Sequence, residues 1–187
     1  MKSIVLRVVL ALAALSVVPN ALAADSDGGK VFFDARIGDT VGANAGYLWT
    51  LSETGAVGLE AGYMDFGQIA DNSAPLEFFS QQISATGTTV GGHIQHLFGE
   101  DEGWVFQFRA GLLSAKFDEK HSDSSPGGPV TQGSSSSSQS GTYFGFGVGR
   151  NVTPGFSLGL AFDRYDARDH EAALGKNWFG FVAEFRF

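Results

Sequence analysis

The sequence predicts an all-β fold, an eight-stranded antiparallel up-and-down β-barrel that crosses a membrane with strands rather than helices. Three observations lead there. Asn177 to Phe187 reads NWFGFVAEFRF, with Phe179, Phe181, Ala183, Phe185 and Phe187 on one side and Glu184 and Arg186 between them. A period of two with aromatics on one face and charges on the other suits a strand held between lipid and a polar lumen. The same period recurs along the chain. Composition agrees: 17 Phe and 26 Gly occur among 187 residues at a mean hydropathy of +0.03. Only alternate residues of a barrel strand meet lipid, so the mean stays near zero while the periodicity carries the pattern.

The first residues fit export. Lys2 and Arg7 precede an apolar run from Val8 to Val18, and Pro19 and Ala21-Leu22-Ala23 follow. That is the order of a secretory signal peptide, and the run is shorter than the roughly 20 residues of a spanning helix. Residues 1–23 are expected to be cleaved, leaving one outer-membrane barrel domain over 24–187. Cleavage would take two positive charges and no negative one from a chain of formal charge −8, leaving −10. Such acidity argues against a nucleic-acid partner, whose phosphates it would repel. Zero cysteines exclude a disulfide framework, a thiolate metal site and a cysteine nucleophile.

Each strand follows from its alternation. Val31, Phe33, Ala35 and Ile37 oppose Phe32, Asp34 and Arg36. Ala43, Ala45, Tyr47, Trp49 and Leu51 oppose Asn44, Gly46, Leu48 and Thr50. Val57, Leu59, Ala61 and Tyr63 oppose Gly58, Glu60, Gly62 and Met64, before a polar stretch from Gln68 to Pro75. The fourth strand, Ser80 to Leu97, is blurred by Thr and Gly, and Val90, Gly92 and Ile94 mark its outer face. In the fifth, Trp104, Phe106, Phe108, Ala110 and Leu112 oppose Val105, Gln107, Arg109 and Gly111. Phe144, Phe146 and Val148 oppose Gly145, Gly147 and Gly149 in the sixth. Phe156, Leu158, Leu160 and Phe162 oppose Ser157, Gly159, Ala161 and Asp163 in the seventh, and the terminal segment is the eighth. Tyr47, Trp49, Tyr63, Trp104, Tyr165 and Trp178 fall near strand ends, where amphipathic rings favour the lipid interface.

Connection lengths set the orientation. Ser52–Gly55, Gly99–Gly103 and Asn151–Gly155 are short, whereas those after strands three, five and seven are longer and polar. Short turns belong to the periplasm and long loops to the outside, so both termini are expected to be periplasmic. Asp118 to Gly141, with its run Ser134 to Ser138, reads as a long, mobile, low-complexity outer loop.

Several segments are similar to the small eight-stranded outer-membrane barrels of the OmpA transmembrane-domain and OmpX/Ail type. They are Gly58-Leu-Glu-Ala-Gly-Tyr-Met-Asp-Phe-Gly67, Arg109-Ala-Gly111, Gly145-Phe-Gly-Val-Gly149, Leu160-Ala-Phe-Asp-Arg-Tyr-Asp166 and the terminal Phe. The resemblance covers nearly all of residues 24–187. It implies a Gram-negative outer membrane, contact with its lipid and lipopolysaccharide, and surface loops available to a host or environmental ligand. It also implies assembly by the barrel assembly machinery through the C-terminal strand, with Phe185 and Phe187 as the signal.

Alternation sends Asp34, Arg36, Glu60, His93, Gln107, Arg109, Asp163, Glu184 and Arg186 into the lumen. An eight-stranded lumen is narrow enough to be filled by side chains, and buried charges there must pair. An ion-pair network is expected among Asp34, Arg36, Glu60, Arg109, Asp163, Glu184 and Arg186, with Arg109 a centre and Glu60 and Glu184 among its partners. A packed polar plug is favoured over a gated ion path.

Enzyme chemistry finds little support. His170, in Arg164-Tyr-Asp-Ala-Arg-Asp-His170, loosely resembles the lipid A deacylases of the PagL type, but Glu171 and Ala172 stand where that family has Ser-Asn. Without the hydroxyl beside the base there is no nucleophile to activate. Asp118, Glu119, His121 and Asp123 lie in a Ser/Gly/Pro-rich stretch and read as a solvated loop rather than a metal site. No cofactor is expected. The expected function is non-enzymatic, structural or adhesive through exposed loops, the alternative being a lipid-modifying enzyme or a small ion-conducting pore.

Overall fold

A computed structural model describes residues 28–71, 79–99, 103–123, 130–168 and 173–187. The expected signal peptide, 1–23, and His170 with Glu171 lie outside them. Eight strands form the chain: β1 (Gly29–Gly38), β2 (Val41–Thr50), β3 (Gly55–Asp71), β4 (Phe79–Phe98), β5 (Trp104–Asp123), β6 (Thr131–Thr153), β7 (Phe156–Arg168) and β8 (Ala173–Arg186). Each pairs antiparallel with the next, and β8 pairs with β1, so the sheet closes into a barrel. Closure leaves no ladder edge in the paired zone, which is what a strand-built wall in lipid requires.

The faces follow the alternation. Phe106, Phe108, Phe144, Phe146, Phe179 and Phe181 each leave 40% or more of their surface exposed. With Leu59, Tyr63, Val90, Ile94, Leu112 and Leu158 they make a continuous apolar belt around the barrel, far more than a water-soluble surface carries. On β5 the belt runs from Trp104 to Leu112. At about 3.3 Å per residue and a 35–45° tilt, that is about 20 Å of height, close to the hydrocarbon-facing band of known barrels. Inward from the belt lie the charged residues.

The barrel is lopsided. Its near end, where Gly29 and Phe187 lie, has tight turns. Leu51 and Ser52 donate their N–H groups to the Gly55 carbonyl at 2.8 and 3.1 Å, and only Pro154 and Gly155 separate β6 from β7. At the far end β1 and β2 turn at once through Asp39 and Thr40, while β4, β5 and β6 run to 20, 20 and 23 residues. β3–β6 therefore project as a sheet well beyond the belt.

This projection corrects three expectations. Asp118–Asp123 and Thr131–Gly141 are not a loop: they pair residue for residue from Leu113↔Gly141 to Asp123↔Thr131. Likewise β3 continues through Gln68 to Asp71, although its ladder with β4 is bulged between Asp65 and Gly67 and between Gln68 and Ala70. The reason is a change of phase. Up to Leu112 the outward residues of β5 are apolar; beyond it Ser114, Lys116 and Lys120 face out, while Leu113, Ala115 and Phe117 face in and are buried. Above the belt the environment outside is water, so the apolar residues turn inward, and a strand that changes solvent reads like a strand that ends.

The third correction concerns the aromatic girdle. Trp49, Tyr63 and Trp104 are exposed on the belt, but Tyr165 and Trp178 are fully buried inside the barrel. Trp178 donates its indole N–H to the Thr40 carbonyl at 3.3 Å. A barrel closed in this way is expected to resist detergent. Unboiled protein is expected to migrate differently from boiled protein in detergent electrophoresis, and identical mobilities would show that the ladder does not close in detergent.

Candidate functional site

Two features hold polar chemistry: the lumen and the projecting sheet. In the lumen, Asp34 and Arg36 on β1, Glu60 on β3, His93 on β4, Gln107 and Arg109 on β5, Asp163 on β7 and Glu184 and Arg186 on β8 are all buried. The structure joins them into two clusters.

The larger cluster centres on Asp163. Arg109 donates to it through Nε at 2.9 Å and Nη2 at 2.7 Å, a bidentate fork, and Arg36 adds Nη1 at 2.7 Å. Arg36 also donates from Nε to Asp34 at 2.9 Å, and Asn44 donates to the same carboxylate at 2.9 Å. Arg109 Nη1 reaches Glu60 at 3.4 Å, while the Tyr143 hydroxyl donates to Glu60 at 2.8 Å and His93 Nδ1 stands 3.0 Å from it. Tyr165 accepts from Arg109 at 3.0 Å. Forked arginine–carboxylate pairs are the strong form of this contact because both charges and both donors are used.

Glycine makes the fork possible. Arg109, Gly145 and Asp163 lie in one row across β5, β6 and β7. A Cβ added at Gly145 would overlap the Asp163 carboxylate, so only a bare α-carbon lets the arginine reach across the middle strand. Gly62 does the same beside Asn44. The glycine-rich inner faces are thus the space that the charged side chains fill.

The smaller cluster lies toward the near end. Glu184 accepts from Gln95 at 2.9 Å and from Gln107 at 2.5 Å. Arg186 Nε stands 3.2 Å from Glu184, within ion-pair distance though not aligned as a hydrogen bond. Arg186 donates Nη1 to Gln95 at 3.3 Å and Nη2 to Asn151. Glu184 is therefore the partner of Arg186 and two glutamines rather than of Arg109, which corrects that pairing. Strand stagger decides it: on β5, Gln107 sits one inward step closer to the near end than Arg109. Gln95, Asn44, Tyr143 and Tyr165 complete these clusters and were missed as network members. Their inward phase follows from the alternation of their own strands, whereas the carboxylate that each meets is set by the register between strands.

Beyond the larger cluster the lumen turns apolar. Met64, Phe66, Leu113, Phe117, Leu174 and Trp178 form a buried core with Tyr143 and Tyr165. Phe66 packs edge-on against Tyr165 at 5.0 Å, Tyr143 stacks on Tyr165 at 6.0 Å, and Arg36 lies 5.5 Å from the Trp178 ring. Along the lumen a charged layer thus lies below an apolar one. Among the described residues no group of three or more His, Asp and Glu is placed to hold a metal ion.

The projecting sheet is the second feature. Its outer face carries Ser84, Thr86, Lys116 and Asp118, with Lys116 and Asp118 paired at 2.9 Å. Ser134–Ser138 are exposed on both faces of β6. The ladder to β7 stops at Gly141↔Ala167, whereas the ladder to β5 continues to Thr131. Among the described residues no strand lies beside Gly133–Ser138 on the side away from β5.

These features define the class: a closed, plugged, eight-stranded barrel with a lipid-facing belt and a sheet projecting from one end. No protein-family model matches the sequence, and no curated protein matches it significantly. Solved structures do. Ail, the attachment invasion locus protein of Yersinia pestis, is 16% identical over 87% of this chain and 100% of that chain, with a TM-score of 0.49. CarO2 of Acinetobacter baumannii is 14% identical over 84% and 98%, with a TM-score of 0.45. The N-terminal β-barrel domain of Pseudomonas aeruginosa OprF is 14% identical over 87% and 98%, with a TM-score of 0.43. The likeness is one of barrel architecture.

Two outcomes test the lumen. Asp163→Asn leaves Arg36 and Arg109 without their shared carboxylate, and Gly145→Ala drives a methyl into it. The first is expected to cost about 3–5 kcal/mol and the second about 1–3 kcal/mol of unfolding free energy, read by urea titration in lipid vesicles. In planar bilayers the intact protein is expected to show no steady conductance; a large open current would mean that the apolar core does not seal the lumen.

Proposed function

We propose that the protein is a non-enzymatic outer-membrane barrel that holds the projecting β3–β6 sheet outside the cell as a surface for binding other polypeptides. In this reading the near end faces the periplasm and both termini lie there. The tight turns at that end support the orientation, as short connections are typical of the periplasmic side.

One observation carries the binding role: the margin of β6 at Gly133–Ser138. A strand edge presents a row of backbone N–H and C=O groups that another extended chain can pair with. Proteins usually blunt such edges with bulges, charges or proline. The opposite margin of the sheet follows that rule, for β3 is bulged twice beyond Asp65 and Gly67 takes a φ of 67°. β6 carries no charge, no proline and no bulge from Thr131 to Asn151 apart from Arg150, which lies within the belt. Its five consecutive serines are small, polar and indifferent to the partner's side chains, so recognition would rest on the main chain.

The lumen supports the negative half of the proposal. Its carboxylates and both arginines of the larger cluster are paired with one another, and an apolar core lies over them, which suits a rigid anchor better than a pore or a catalyst. The last residues support a role in assembly. Phe185 stacks on Phe156 at 4.7 Å, the Phe187 N–H donates to the Val31 carbonyl at 2.9 Å and β8 pairs with β1, so the C-terminal strand forms one side of the closing seam. We infer that Phe185 and Phe187 are the features the barrel assembly machinery engages.

Replacing Ser135 and Ser137 with lysine places charges along the margin and leaves the barrel wall untouched. Cells displaying this variant are expected to lose about tenfold in binding to immobilised matrix proteins relative to cells displaying the parent chain. Equal binding would overturn the role of this edge.

A further inference from the structure

The margin of β6 has a composition that fits its own copy. From Gln132 to Ser138 it holds a glutamine, a glycine and five serines, none of them charged or β-branched. Turned end for end about Ser135, the run sets Ser134 opposite Ser136 and Gly133 opposite Ser137. Facing hydroxyls are a favourable match across an antiparallel pair, and no side chain in the run is large enough to obstruct another. The strand is also preformed, held from Lys116↔Ser138 to Ser122↔Gln132 by its ladder with β5. Ordering a flexible chain into a strand costs entropy at every residue, whereas a second β6 is already extended.

β7 limits the register. The position beside Gly141 is taken by Ala167, and β6 begins at Thr131. Opposite residues of a pair share a face, so the centre of a self-pairing falls on a residue. Centred on Ser136, it would set the second copy's Thr131 level with Gly141 and against Ala167. Centred on Ser135, it sets that end level with Gln139, clear of the β7 ladder, which makes this the longest register the margin admits.

Symmetry then places the second copy. The twofold axis of an antiparallel pair is perpendicular to its sheet, and this sheet continues the barrel wall, so the axis lies in the plane of the membrane. A half-turn about it points the second barrel the opposite way. Two copies side by side in one membrane hold β6 parallel, and a twofold along the membrane normal sets like residues level, whereas the slanted bonds of a parallel ladder need them staggered. Resting on the edge-binding reading above, we propose that the partner of β6 is β6 of a second copy in a facing membrane, the two strands pairing antiparallel about Ser135. Ser135 lies nine residues beyond Phe144 of the belt. At about 3.3 Å per residue and a 35–45° tilt, the two belts then stand about 45 Å apart.

The chain has no cysteine, so single substitutions can report the pairing. Two populations of phosphatidylcholine vesicles, carrying copies with tags of different size, are mixed under a mild oxidant, and disulfide dimers that join the two tags are measured for variants that keep the heat-dependent mobility shift. Opposite residues of an antiparallel pair have α-carbons about 4.5–5.5 Å apart, within disulfide reach, whereas two copies of residue 137 would lie about 14 Å apart. Ser135→Cys is therefore expected to give about tenfold more dimer across the populations than Ser137→Cys. Ser134→Cys vesicles mixed with Ser136→Cys vesicles are expected to link, although neither variant links to itself. A flat profile over these positions, or dimers confined to one population, overturns the proposal. Binding to immobilised matrix proteins separates the two levels. A protein that binds them but gives no dimer across populations refutes the second copy alone, whereas one that does neither refutes the edge reading as well.

Discussion

Everything in this molecule depends on the ladder between β1 and β8. In hydrocarbon an unpaired backbone amide or carbonyl costs several kcal/mol, so a sheet is tolerated there only if its first and last strands meet. Phe32↔Arg186 through Gly38↔Gly180 supply that seam. Once eight strands close, the lumen is too narrow for bulk water, and the second constraint follows from the first: any charge turned inward must find its partner among side chains. Asp163 held by two arginines is the outcome.

The same closure explains why glycine and arginine alternate in importance across the wall. A long side chain crosses a narrow lumen only where the strand between it and its partner gives way. Gly145 does so between Arg109 and Asp163, and the net result is a forked pair spanning three strands. The inner glycines weaken strand propensity, yet the ladder on both sides and the filled space above them offset that weakness.

The eight strands and the inward phase of every lumen charge were legible because each belt residue is chosen by one solvent and each lumen residue by another. Legibility ended where the solvent changed. Beyond Leu112 and before Phe144 water replaces lipid outside, so serines, Lys116 and Lys120 take the outward positions and the pattern looks like a loop. Two cues for a continuing strand were present: Leu113, Ala115 and Phe117 keep a period of two in the opposite phase, and no proline interrupts Thr131 to Gly149. The pairs within the lumen are a different matter. Whether Glu184 meets Arg109 or Arg186 depends on the stagger between strands, a property of closure that no single strand encodes. Tyr165 and Trp178 misled for a related reason, since an aromatic residue at a strand end suits a lipid interface and an apolar core equally well.

The two halves of the barrel are stabilised by opposite means. Within the belt, apolar side chains face out and charges pair within; beyond it, Met64, Phe66, Leu113 and Phe117 face in and the polar residues face out, as in a water-soluble protein. The inversion lets strands outlast the membrane without loops, because the inner core replaces lipid as the place where apolar surface is buried. It also determines which edges exist. Inside the belt closure removes every edge, but once β1 and β2 turn back at Asp39 and Thr40, the sheet above them must have two margins. Bulges twist one of them, on β3, out of the geometry a partner strand needs, and the other, on β6, keeps it. A barrel built from strands of equal length would have neither margin, so the unequal strands are what give a closed wall an unpaired edge.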